Sequence, residues 1–123
     1  MTALAAREMS GIASELLASL NGDQRRTAQW PFPSYEERLR WFYTPTDHGG
    51  VTLHSLAPAQ TRLMMRLIGS ALSPAAYVTV STIMGLENVL DHLERWVASW
   101  GHPRGRDPQR YYWRVFGNPG SDE

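Results

Sequence analysis

The sequence predicts an α+β fold, predominantly helical: N-terminal helices and a helical hairpin, followed by a C-terminal strand and at most a small sheet. Three observations carry that expectation. Apolar residues recur at helical spacing near the start of the chain and again through its second half. Pro58 and Pro74 each stand just ahead of such a pattern, where a first helical position tolerates a missing N–H. The stretch "RYYWRVFG" near the end instead strings together aromatic and branched residues, which suit a pleated strand.

The elements follow in chain order. Thr2 is placed to cap a helix from about Ala3 to Leu20, with Leu4, Ile12, Leu16, Leu17 and Leu20 on one face. Asn21-Gly22 ends it, and Asp23 caps a short helix, "DQRRTAQW", which Pro31 and Pro33 terminate. A brief helical turn is expected around Glu36 and Glu37. "RWFYTP" reads as extended, and "VTLHSL" as a short strand after a Gly-Gly turn. Ser55, or Ala57 with Pro58 at the first helical position, opens the next helix, reaching about Ala71, with Leu63, Met64, Leu67, Ile68 and Ala71 as its stripe. Ser73 caps the last helix, which is expected to run to about Trp100 before Gly101 and Pro103. Its inward face is read as Tyr77, Val80, Met84, Leu90, Leu93, Val97 and Trp100.

The final strand poses a question of pairing. Tyr111, Trp113 and Val115 alternate with Tyr112, Arg114 and Phe116, so both faces carry bulk and both want cover. Arg40–Tyr43 and Val51–His54 are the upstream candidates, and both are weak. The expectation is a strand from a sheet that this chain barely contains, free to pair through residues 110–116 with a second copy.

Composition narrows the chemistry. The chain has 123 residues, enough for one domain spanning 1–123. Formal net charge is zero, which gives no global field to recruit nucleic acid or an anionic membrane. No apolar run approaches the roughly 20 residues of a spanning helix. Arg7, Glu8 and Glu15 interrupt the N-terminal apolar stretch, which argues against a signal peptide and for the cytoplasm. There is no Cys, and all 12 basic residues are Arg. Thiolate nucleophiles, Cys-bound zinc and lysine Schiff bases are therefore excluded within these residues. Arginine binds carboxylates and phosphates but does not shuttle protons.

Few residues are placed for chemistry. His48 and His54 flank the expected hairpin and are weak metal candidates; two solvated loop histidines explain them more simply. Glu87 and Asp91 share a helix face, and Glu87, beside the apolar stripe, is the acid/base candidate. Against that reading stands an ordinary wet face that includes Asp91 and Glu94. Arg25 and Arg26 are assigned to a first helical turn, where a small anionic ligand can dock. Arg106, in "RDP", is the third anion-binding candidate, with Asp107 capping the turn and Pro108 setting its dihedral. Arginines interleaved with Tyr111, Tyr112 and Trp113 match a stacking surface for single strands, but strand alternation explains them through packing. Nothing in the residues names a cofactor.

"SLAPAQTRLMMRLIGSALSPAAYVTVSTIMGLENVLDHLE" followed by "RDPQRYYWRVFGNPG" resembles an uncharacterised family catalogued as domain of unknown function thirty-five hundred. "DQRRTAQWPF", "RLRWFYTP" and "HGGVTL" extend the resemblance from Asp23 to Gly120. At the turn before Val51 the family usually carries a basic residue and a glycine, where His48 and Gly49-Gly50 stand here. The resemblance implies a longer domain, continuing through a Trp-Gly-Trp strand into a Gly-His-His segment. These residues then form its N-terminal portion. Two functions are expected from that frame. One is part of a metal-dependent enzyme whose histidines lie beyond this chain. The other is a small helical interaction module that self-associates through its C-terminal strand.

Overall fold

Helix α1 (Ala3–Ser19) turns Ile12, Ala13, Leu16 and Leu17 into the core, a one-sided stripe at helical spacing. The computed structural model describes residues 3–44, 46–95 and 104–121. Leu4, expected on the same stripe, is exposed. The packing partner of α1 is α4 (Pro58–Ala71), which inserts Met64 and Ile68. The caps expected of Thr2, and the positions of Val97, Trp100, Gly101 and Pro103, lie outside the described residues.

Between these helices runs α2 (Gly22–Ala28). Asn21, and not Asp23, is its cap. The Asn21 side chain accepts the Gln24 N–H at 2.9 Å while Gln24 Oε1 accepts the Asn21 N–H at 2.9 Å. This reciprocal box satisfies two donors that a helix start leaves without partners. Gln24 and Gln60 then exchange side-chain amide bonds at 3.1 and 3.2 Å, and Gln60 also donates to Ser19 O at 2.7 Å. The starts of α2 and α4 are thereby tied to the end of α1.

Trp30 precedes Pro31, and a residue before proline is pushed toward extended backbone. Gln29–Trp30 accordingly forms β1. A short α3 (Tyr35–Leu39) follows, and then Val51–Thr52 forms β2 and Leu53–Ser55 a 3₁₀ turn. The expected strand at Arg40–Tyr43 does not form; Trp41, Phe42 and Tyr43 are exposed and irregular. The core gathers Leu16, Leu17, Leu20, Ala28, Val51, Leu53, Met64 and Met84.

Helix α5 (Pro74–Glu94) opens on Pro74, with the Ser73 side chain accepting the Ala76 N–H at 3.2 Å. It stops at Glu94 rather than near Trp100. Arg95 adopts a left-handed conformation (φ 47°) and donates its N–H to Asp91 O at 3.1 Å, which closes the last turn. The hairpin connection between α4 and α5 is short as expected, but α4 packs chiefly on α1 and only lightly on α5. Met84 is the one fully buried side chain of α5, with Tyr77 and Val80 half-buried beside it. Leu90 and Leu93, expected inward, stand in solvent.

The closing segment divides. Tyr112–Trp113 is β3 and Val115–Phe116 is β4. β3 pairs antiparallel with β2, with Val51 opposite Trp113 and Thr52 opposite Tyr112. β4 pairs parallel with β1, with Gln29 opposite Val115 and Trp30 opposite Phe116. The segment therefore finds partners inside the chain, one of them at a position the apolar pattern did not mark. Its alternation holds: Tyr111, Trp113 and Val115 pack against the core. Gly50 (φ 119°) permits the approach of β2 to β3, since a Cβ there would sit 2.7 Å from Trp113 O. No helix among the described residues is long and apolar enough to cross a membrane.

Candidate functional site

The densest polar constellation lies where the inward face of α5 changes character. Tyr77, Val80 and Met84 occupy its first half; the same helical row continues with Glu87 and Asp91. The segment leading to β3 supplies their partners. Tyr111 Oη donates to Glu87 Oε1 at 2.9 Å. Arg104 Nε donates to Asp91 Oδ2 at 3.1 Å, and its second nitrogen to Asn88 Oδ1 at 2.9 Å. The Arg106 backbone N–H reaches Asp91 Oδ1 at 3.3 Å, while its guanidinium forks onto Glu94 at 3.0 and 3.4 Å. Asp107 accepts the Gln109 N–H at 2.9 Å and starts the 3₁₀ turn Pro108–Arg110, as its sequence suggests.

These contacts set the electrostatics. Burial, then the bond to Glu87, pushes the Tyr111 phenol up to about 12. It remains a neutral donor at physiological pH. The Glu94 hydrogen bond raises the Arg106 guanidinium pKa against the opposing effect of burial. Glu87 is thus held by a phenol, and Arg106 by a carboxylate. What the sequence presents as a wet acidic face is a clasp for the C-terminal segment.

The remaining candidates are dispersed. Arg25 and Arg26 lie in the last turn of α2, not the first, so the helix N-terminus does not reinforce them. Arg25 Nε donates to Gln29 Oε1 at 3.0 Å, and Arg26 pairs with Asp23. Both border an open groove of about 710 Å³ floored by Trp30, Phe32 and Asn118. His48 stacks on Phe42 at 4.7 Å and meets the edge of Tyr112 at 5.4 Å, with Nε2 3.0 Å from Thr44 O. His54 is exposed on its 3₁₀ turn. Among the described residues, no three His, Asp or Glu side chains gather as a metal site.

Arg114 is a site residue that the alternation pattern concealed. Its guanidinium donates to Glu37 Oε2 at 2.7 Å and lies over the Trp30 ring at 5.3 Å and the Phe116 ring at 5.7 Å. It joins α3 to β1 and β4. The signal available in sequence was an arginine flanked by aromatics on a strand.

The run from Arg106 through Pro119 thus carries most of the tertiary ties of the C-terminal segment. A family model described as "Protein of unknown function (DUF3500)" matches residues 2–123. The chain belongs to this family. No curated protein and no solved structure matches it. In this DUF3500 chain the residues of the Arg-Asp-Pro, Tyr-Tyr and Phe-Gly-x-Pro run have visible structural duties. Arg106 and Tyr111 hold α5, Gly117 donates its N–H to Trp30 O at 2.8 Å, and Pro119 O accepts from Ser14 Oγ at 2.8 Å.

Proposed function

We propose that the chain is a non-catalytic helical interaction module that associates with copies of itself. One observation carries this reading: large apolar side chains stand in solvent along two stretches of the chain. The first runs from Phe32 to Tyr43, where Trp41 is 76% and Tyr43 78% exposed. The second is the outward side of α5. Large apolar side chains gathered on exposed elements in this way mark protein–protein contact. Residues 110–116 also enter only two-residue ladders, which leave β-edge available for strand pairing. Light scattering of the native chain across a rising concentration series tests the reading. A mass that climbs above the monomer supports it; a constant monomer mass contradicts it.

A second reading rests on the same uncovered surface: further polypeptide of a longer domain covers it, and that polypeptide brings metal-binding histidines. It differs in its test. Extending the chain, not concentrating it, would then protect the apolar surface, and zinc or iron would bind the extended form alone. We also propose a cytoplasmic setting, from the charged interruptions in α1.

A further inference from the structure

We propose that α5 pairs with the α5 of a second copy, antiparallel, through its outward face. This names the contact behind the self-association reading and rests on it. Ala75, Thr79, Thr82, Leu86, Val89 and Leu93 are all exposed. Their spacing alternates four and three residues, which is the seam of a two-helix coiled coil. None is charged. The carboxylates of the helix, Glu87, Asp91 and Glu94, are engaged by Tyr111, Arg104 and Arg106 instead. A second copy therefore meets no like charge along the seam.

The two threonines do not oppose burial. Thr79 Oγ1 donates to Ala75 O at 3.0 Å, and Thr82 Oγ1 to Val78 O at 2.8 Å. Each hydroxyl is satisfied by its own helix, so covering it strands no donor.

Size decides the direction. The first half of the seam is small (Ala75, Thr79, Thr82) and the second half large (Leu86, Val89, Leu93). Antiparallel pairing about a two-fold axis near Met84 sets Ala75 against Leu93, Thr79 against Val89 and Thr82 against Leu86. Every level then packs small against large, the arrangement that fills a core without voids. Parallel pairing would set alanine against alanine at one end and leucine against leucine at the other. The antiparallel contact is also closed and self-complementary, so it stops at a dimer.

Cysteine cross-linking tests this geometry cleanly, since the chain has no native Cys. Ala75→Cys/Leu93→Cys is expected to form a covalent dimer under mild oxidation. Ala75→Cys alone is expected not to, its two copies lying roughly 27 Å apart along antiparallel helices. Leu86→Glu is expected to weaken the dimer at least tenfold by sedimentation, with helical content unchanged; Leu86→Gln serves if the charge disturbs folding. Cross-linking by Ala75→Cys alone would overturn the antiparallel seam. Association that ignores both Leu86 variants would overturn the α5 contact while the module reading stands. A monomer at every concentration would overturn both.

Discussion

The phenol of Tyr111 donates to Glu87 across 2.9 Å, joining the residue just ahead of β3 to the second half of α5. This bond sits at the head of a ladder in which α5 carboxylates hold one after another of the residues preceding β3. It turns a chain of modest core into one whose C-terminal segment is fastened twice, by backbone pairing and by side chains.

That bond predicts an alkaline weakness. In the fold the phenol titrates at about 12 against an ordinary value of 10. The neutral form is the one the fold favours. Its contribution is whole below pH 10 and is lost as pH rises from 10 through 12. Tyr112, also raised by burial and by its bond to Asp47, adds in the same direction. Urea unfolding across this range should show stability falling, and Tyr111→Phe should flatten the fall. At neutral pH the same substitution should cost about 1 kcal/mol, the worth of one partly buried hydrogen bond.

Gly50 is expected to tolerate no side chain. Its φ of 119° is strained for an L residue, and the added Cβ would meet a backbone oxygen rather than a movable side chain. Gly50→Ala should lose roughly 2–3 kcal/mol and separate β2 from β3. Amide exchange at Val51 and Thr52 would report the loss; unchanged protection there would contradict the role assigned to this turn.

Met64 is 2% exposed at the junction of α1 and α4. Met64→Ala should cost about 3 kcal/mol, within the range for emptying a core position. For a domain of this size that corresponds to a melting temperature lower by roughly 10 °C. A change below about 1 kcal/mol would mean that the core lies elsewhere.

The helices were legible because their signals are local. Pro58, Ser73 and Pro74 mark helix starts in any context, and the stripe of Met64 and Ile68 needs only one partner. The end of α5 was not, because a left-handed Arg95 carries no sequence mark of the kind glycine supplies. Leu90 and Leu93 misled for a different reason. They follow an apolar pattern, but the inward row at that point is Glu87 and Asp91, made burial-compatible by arginines and a tyrosine that arrive from residues 104–111. β1 escaped notice because two residues form no pattern, although Pro31 had already biased Trp30 to be extended. Arg106, an anion-binding candidate in the sequence, has its guanidinium on the Glu94 carboxylate of α5, a partner 12 residues away that no local pattern names.

Leu86 and Glu87 are neighbours in sequence with opposite assignments, one facing out for a second copy and one facing in for Tyr111. Sedimentation and thermal melting of Leu86→Glu and Glu87→Ala side by side test that division most directly. Leu86→Glu should weaken the dimer at least tenfold and leave the monomer fold intact. Glu87→Ala should keep the dimer and lower stability by about 1 kcal/mol. The reverse pattern, or a wild-type chain that never exceeds the monomer mass, would contradict it.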